Sequence, residues 1–558
     1  MNSDPATRTS GGHRLARWLS DRGISHFFDV PGESFLPVLD GLLDARDILV
    51  ATTRHESSAA FAAEAYAKAT GRPAVCMATR GPGASNLSIG VQTAFHDGTP
   101  LLALIGLVPR IAAGSSAFQE FDPTQLYNSI AKRVFVVTDR AALCGVLDQA
   151  LDIATAGRPG PVVVGLPSDV LEEDGDDDPP SPGGTPALTR MQWDRHWDPA
   201  ELFELLSGAR RPALLAATAP VRAEAANSLA TFATRTGIPV YGAWRRFSAI
   251  DNAHPGYVGS IGLGARHSVI ESLQDADVIL VVGPGLDQIT CDVGRLNRSG
   301  LTIVQISETV ESAAVRHLGK ARILGIELDP DEGARELCRF TEAHPEAARA
   351  LHSRHAGSTA QLVASQRDEA LVPAVPGRAQ VSYLMQELNK WLPDDAVVTS
   401  DAGNFAQWLL RHVQFGGRRV FLGALNGAMG YGLPAAIGAS LALPGAPVYC
   451  IAGDGGFLMT AGEMETAVRL GLNIAAVVVD NEVYGTIRAK QASTYPGRLL
   501  GTGLGPVDFA GLAKSLGWRA ARADDDKEVP DALQELVRPA SGCRLLHVRV
   551  DAEPLSAV

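Results

Sequence analysis

Short β-branched apolar runs separated by amphipathic helical stretches recur along nearly the whole 558-residue chain, and this alternation constrains the fold most. A short buried apolar run reads as a strand, and an intervening helix returns the chain so that successive strands lie parallel. In the first third the runs are Phe27–Val30, Ile48–Ala51, Ala74–Ala78, Leu101–Ile105 and Val162–Leu166. In the middle they are Ala213–Leu215, Val278–Val282 and Thr302–Ile306. In the last third they are Ala396–Thr399, Val448–Ile451, Ala475–Val479 and Leu545–Val548. The expected fold class is α/β, with three doubly wound parallel-sheet domains covered by helices on both faces. The chain is also too long for one hydrophobic core. The acidic, Pro- and Gly-rich stretch from Glu172 to Gly184 and the polar, Pro-punctuated stretch around VPAVPGR place the cuts. The expected domains are therefore 1–172, 189–355 and 378–558, with linkers at 173–188 and 356–377.

A net charge of −13 argues against nucleic acid or an anionic membrane as partner. The six cysteines are scattered without a CxxC, and no apolar signal core or spanning-length apolar stretch occurs, so a cytoplasmic protein with reduced thiols is expected.

The most chemically specific pattern is Gly453-Asp454-Gly455 after the run Val448–Ala452, followed beyond a helix and the run Ile474–Val479 by Asp480-Asn481. Both clusters fall just past strand ends, where open α/β sheets bind ligands. Asp454 offers a carboxylate oxygen, Asn481 an amide oxygen, and the turn after it a main-chain carbonyl. Hard oxygen donors of this kind suit Mg²⁺ completed by phosphate and water, and make a poor zinc site. The glycines let a diphosphate approach the backbone. In the first third, Arg54-His55-Glu56 ends a strand and opens an Ala-rich helix, which puts Glu56 near a helix N-terminus at the sheet edge. His55 and His96 read as structural or orienting residues, and no His-His pair occurs.

The GDG…Asn pair, RHESSAAFAAEAYAKATGRPAVCMATRGPGASN, GTPLLALIG, AFQEFD, GRPGPVVVGLP and GAMGYGLP together resemble the thiamine diphosphate enzyme family, and acetolactate synthase large subunits in particular. The resemblance implies pyrimidine-binding, central and diphosphate-binding domains in that order. It implies that a buried Glu56 hydrogen-bonds N1′ of the cofactor's aminopyrimidine and so assists loss of the C2 proton. It implies that the Gly427 carbonyl accepts from the 4′-amine and that Met429 wedges between the rings. Phe118 and Gln119 would face substrate, so the catalytic set is Glu56, Phe118, Gln119, Gly427 and Met429. Asp454, Asn481 and the Val483 carbonyl would hold Mg²⁺. Pro31, Gly32, Asn86, Gly403, Asn404, Phe405, Gly453, Gly455, Gly456, Tyr484, Gly485 and Thr486 would complete the cofactor contacts, with Gly81-Pro82-Gly83 forming a tight strand-to-helix turn beside them. A homodimer or homotetramer with active sites between subunits is implied.

The chain departs from the biosynthetic synthases at Asp480, Phe405 and Lys490, where they carry Asn, His and an acceptor-choosing Trp. Arg488, Lys490 and Arg498 form either a substrate carboxylate clamp or a solvated basic face. In the middle, Ala216-Ala217-Thr218-Ala219-Pro220 lacks a Gly-rich turn and Gly283–Gln288 lacks an Arg, so FAD is expected to be absent. In this respect the central domain resembles that of benzoylformate decarboxylase, which implies that Asp287–Asp292 touches substrate. The expected activity is ThDP- and Mg²⁺-dependent decarboxylation of a pyruvate-like 2-oxo acid with carboligation to a carbonyl acceptor. The alternatives are a simple 2-oxo acid decarboxylase and a non-catalytic ThDP-binding paralogue.

Overall fold

The computed structural model describes residues 10–175, 199–218, 223–309, 318–366, 377–538 and 541–551. These form three six-stranded sheets in which every strand pairing is parallel. The first contains β1 (His26–Asp29), β2 (Leu49–Thr52), β3 (Ala74–Thr79), β4 (Leu101–Leu107), β5 (Arg133–Val136) and β6 (Pro161–Pro167), in the order β2-β1-β3-β4-β6-β5. The second contains β7 (Pro212–Ala216), β8 (Val240–Gly242), β9 (Tyr257–Ser260), β10 (Val278–Val282), β11 (Thr302–Ser307) and β12 (Arg322–Glu327), in the order β12-β11-β10-β7-β8-β9. The third contains β13 (Val397–Ser400), β14 (Val420–Gly423), β15 (Val448–Gly453), β16 (Ile474–Asp480), β17 (Arg519–Ala523) and β18 (Arg544–Arg549), in the order β14-β13-β15-β16-β18-β17. Three α/β domains are thus present.

Every strand expected from an apolar run exists, while β5, β8, β9, β12, β14 and β17 escape the sequence pattern. All but β8 are edge strands. An edge strand meets solvent along one flank and needs no continuous apolar run: β5, β12 and β17 expose residues at both faces. The strand β8 is only three residues long.

By packing, the chain falls into two compact units: Met1–Met191 with Ala424–Pro444 and Thr460–Leu472, and Gln192–Gly423 with Gly445–Met459 and Asn473–Val558. In the first unit the helix Glu56–Thr70 packs on the helix Gly432–Ala442 at backbone contact, because a Cβ on Gly438 would lie 2.0 Å from the Ala62 carbonyl oxygen. The alanines of the first helix permit this approach, and Gly71 ends it in a left-handed conformation (φ 67°). The expected linker 356–377 opens inside a helix, Pro345–Ser365, whose Ala348, Leu351, His355 and Thr359 are buried. Residues 367–376 of that linker, and 176–188 of the other, lie outside the described residues.

Candidate cofactor site

In the third sheet β15 ends at Gly453, paired with Val479 of the neighbouring β16. Asp454 is the first residue of the helix Asp454–Met459, and Asp480 is the last residue of β16. Asp454 and Asn481 therefore emerge from adjacent strand ends. Two packing contacts explain the glycines that follow Asp454. A Cβ on Gly455 would lie 2.7 Å from the Tyr484 ring, and one on Gly456 would lie 2.5 Å from Asp401 Oδ2.

The turn after β16 is tightly stitched. Glu482 has a left-handed backbone (φ 59°), its N–H donates to Asp480 Oδ1 at 3.1 Å, and its carboxylate meets Arg549 at 3.0 Å and Arg378 at 3.3 Å. Tyr484 N–H donates to the Thr502 carbonyl and Leu504 N–H to that of Glu482. Holding a non-glycine residue in this conformation is unfavourable by about 1–3 kcal/mol unless its surroundings fix it. Here they aim the Val483 segment. Asn404, Thr486, Gly485 and Asn481 come together: Thr486 Oγ1 donates to Asn404 Oδ1 at 2.7 Å, and a Cβ on Gly485 would meet both asparagine amides. Phe405 is buried against Gly403 and Gly453.

The electrostatics are set by two buried acids. Burial, and then the charge of Asp480, push the Asp454 carboxyl up to about 7. Burial would raise Asp480 as well, but His547, whose Nε2 lies 2.8 Å from Asp480 Oδ2, carries it below the usual carboxylate range. Asp480 therefore keeps its charge, and Asp454 holds a proton or needs a cation. Among the described residues no cluster of three or more His, Cys, Asp or Glu forms a metal site. Sequence reasoning missed His547, since a histidine in an apolar strand carries no outward signal.

In the first sheet Glu56 is the first residue of its helix and is half-buried, not buried as expected. Asn86 Nδ2 donates to Glu56 Oε2 at 2.9 Å, and Gly83 leaves room for Glu56 Oε1, 3.3 Å from where a Cβ would stand. His55 is the N-cap, its ring accepting from Ser57 N–H. The segment Gly81-Pro82-Gly83 is not a turn before a helix but the first turn of the helix Arg80–Asp97, since proline suits that position. A Cβ on Gly32 would lie 2.2 Å from that of Thr79, so the Pro31-Gly32 bend passes directly over the end of β3. Gln119 has φ 63° and its carbonyl accepts from Gly81 N–H at 2.9 Å, while Phe118 is 76 % exposed and packs on nothing that would make it a core residue.

Gly427 (φ 70°) is exposed and Met429 half-buried in the loop before the helix Gly432–Ala442. Glu463, also missed, is 1 % exposed and accepts from Arg54 N–H at 3.0 Å, fixing the entry to the Glu56 helix. In sequence it looks like any acid in a helix's first turn.

The expected substrate positions divide. The helix Gly485–Thr494 buries none of its residues, and Arg488, Lys490 and Arg498 pair with no acid among the described residues. Asp287 caps the helix Gln288–Val293, accepting from Thr290 N–H and hydroxyl. That engagement leaves Asp292 as the exposed acid of the segment.

Comparison with known proteins matches the same three regions. Residues 9–126 match the thiamine pyrophosphate enzyme N-terminal TPP binding domain, 200–334 its central domain and 401–548 its C-terminal TPP binding domain. The chain belongs to the thiamine pyrophosphate enzyme family. Within it the chain is acetolactate synthase-like, a ThDP-dependent carboligase/decarboxylase. It is 30 % identical to acetolactate synthase isozyme 1 large subunit of Escherichia coli (strain K12) over 98 % of this chain and 95 % of that one. It is 31 % identical to the isozyme 2 large subunit of the same organism, over 97 % and 96 %. It is 32 % identical to the acetolactate synthase large subunit of Parasynechococcus marenigrum (strain WH8102), over 94 % and 85 %. No helix among the described residues is long and apolar enough to cross a membrane.

Proposed function

We propose that this protein catalyses ThDP- and Mg²⁺-dependent decarboxylation of a pyruvate-like 2-oxo acid, with carboligation of the remaining fragment to a carbonyl acceptor. The observation that carries it is the Asp454–Asp480 pair: two buried carboxyls beside an asparagine amide and a glycine-lined strand end. That donor set suits Mg²⁺ and a diphosphate. Asp454, Asn481 and the Val483 carbonyl would hold the cation. Asn404, Thr486 and the Gly453–Gly456 backbone would hold phosphate oxygens. Bound ThDP supplies the nucleophilic carbon and the electron sink for CO₂ loss. Glu56, oriented by Asn86, holds or moves a proton at the pyrimidine ring. Phe118 and Gln119 line the substrate side, and Arg488 or Lys490 receives a substrate carboxylate.

The proposed domains are one per sheet, the central one running to the end of the helix Pro345–Ser365, and the assembly is a cytoplasmic homodimer or homotetramer with active sites between subunits. FAD is not part of it. In the central sheet the loop after β10 packs on the loop after β7, a Cβ on Gly285 lying 2.3 Å from that of Ala217, which supports a switch point without a flavin. The test is incubation with ThDP, Mg²⁺ and a panel of 2-oxo acids, reading CO₂ and the products by mass spectrometry. A carboligation product is expected. Free aldehyde alone would mean a simple decarboxylase, and no turnover despite normal ThDP binding would overturn the enzyme reading.

A further inference from the structure

Both ends of the loop that carries Gly427 and Met429 are tied to one buried ion cluster. Before the loop, Leu425 N–H donates to Asp97 Oδ1 at 2.9 Å. After it, the Tyr431 hydroxyl donates to Glu64 Oε2 at 2.7 Å. Lys68 joins the two acids, its Nζ lying 2.8 Å from Glu64 Oε1 and 2.5 Å from Asp97 Oδ2. Thr99 Oγ1 adds a bond to Glu64 Oε1 at 2.7 Å, and Asn426 Nδ2 donates to Thr93 Oγ1 at 2.9 Å. The Glu64 and Asp97 side chains are 0 % exposed and that of Lys68 is 5 % exposed.

Burial raises the Glu64 carboxyl above the usual range. Lys68 pulls it back and Asp97 pushes it further. Burying charges is unfavourable, and well-packed apolar residues would stabilise such a core at least as well. What apolar residues would not supply is direction, and this cluster's directional bonds end on the two residues flanking the loop. Its acids also sit on the elements that carry the Glu56–Asn86 pair. Glu64 and Lys68 lie on the helix that begins with Glu56, and Asp97 ends the helix that carries Asn86.

We propose that Lys68, by bridging Glu64 and Asp97, is a positioning residue that holds the Leu425–Tyr431 loop, and with it the Gly427 carbonyl and Met429, in the conformation that receives the cofactor. The proposal rests on the reading that this loop meets the pyrimidine end of the cofactor.

The test uses the full-length protein as Lys68→Met, Lys68→Arg and Tyr431→Phe. Hydrogen–deuterium exchange of residues 424–431 is measured without cofactor, and ThDP affinity with Mg²⁺ by titration of intrinsic fluorescence. Loss of a hydrogen bond to a charged group corresponds to about a tenfold effect or more. Lys68→Met and Tyr431→Phe should each speed exchange of the loop about tenfold, weaken ThDP by a similar factor, and leave the strands of the first sheet protected. Lys68→Arg should restore both readouts. Unchanged loop exchange, or equal acceleration throughout the unit, would overturn the clamp and leave a merely structural cluster. Should Lys68→Met fail to fold, Tyr431→Phe, which removes one oxygen, decides. A wild-type protein that binds no ThDP would sink the cofactor reading, while loop exchange would still report on the clamp.

Discussion

The first and third sheets have the same strand order once renumbered, second-first-third-fourth-sixth-fifth, and the second sheet does not. In that order the topological switch falls between the first and third strands, β1 and β3 in one sheet and β13 and β15 in the other. Residues that follow strands at such a point face a crevice. The two sheets fill it with opposite chemistry. After β2 and β3 the first sheet presents Glu56, half-buried and satisfied by Asn86. After β15 and β16 the third presents Asp454, buried and pressed against a second acid. Both carboxyls open helices, so helix position alone does not distinguish them. Their neighbours do: Asn86 donates a hydrogen bond to Glu56, whereas Asp454 faces a second carboxyl in a buried site, an arrangement that favours a bound cation. One topology used twice therefore presents a hydrogen-bonded carboxyl in the first sheet and a pair of buried carboxyls in the third.

The comparison breaks most directly at Asp454. Asp454→Ala should abolish Mg²⁺-dependent ThDP binding, with a loss of affinity well beyond the ~10–100-fold seen when only a ligand's supporting partner is removed. Calorimetric titration checks this, and retained Mg²⁺-dependent binding would show that Asp454 is not the ligand. At the other end, Glu56→Ala should leave ThDP binding largely intact and lower turnover at least ~10²-fold, the usual size of lost acid–base assistance. A variant that loses binding instead would mean that the two carboxyls play the same role.

How much of this contrast was legible in the sequence follows from burial. Interior strands such as β4 and β16 are buried at every position and carry near-continuous apolar runs that announce them, as do the glycines that backbone contact makes obligatory. Edge strands such as β17 look like polar loop because solvent takes one side. In the site, the first residues of helices were legible, since Glu56 and Asp454 each follow a strand-ending motif. The pairings they make were not. Asp480 was noted only as a departure from Asn, and His547 and Glu463 act across distances of 67 and 409 residues along the chain. No local pattern records a contact that only the sheet creates.

Asp480 offers a finer test of the same comparison. If its charge is what draws a cation to Asp454, Asp480→Asn should weaken Mg²⁺ by roughly tenfold, in the range of other supporting-shell changes. It should also let the cation-free protein tolerate high pH better, since Asp454 would no longer face a like charge. Unchanged Mg²⁺ affinity would mean that burial alone governs Asp454.

The smallest expected effect lies at the strand-ending residue of the switch point itself. In the third sheet that residue is Ser400, a neutral hydroxyl. In the first it is Asp29, fully buried, with one oxygen accepting from Thr52 Oγ1 at 2.8 Å and the other unpartnered. Burial pushes its carboxyl up to about 6, against the Thr52 hydrogen bond and the Arg469 charge. Because the folded value exceeds the unfolded one of about 3.9, the folded state holds the proton more tightly, and stability falls as pH rises from about 4 through 6. The full penalty is then present at pH 7, on the order of 2–3 kcal/mol as an upper bound. Asp29→Asn, which mimics the neutral form, should therefore raise the melting temperature at pH 7 and lose that advantage near pH 4. Parallel melting curves for the two proteins across this window would show that Asp29 stays neutral or finds a partner, and that the first sheet's switch point is as uncharged as the third's.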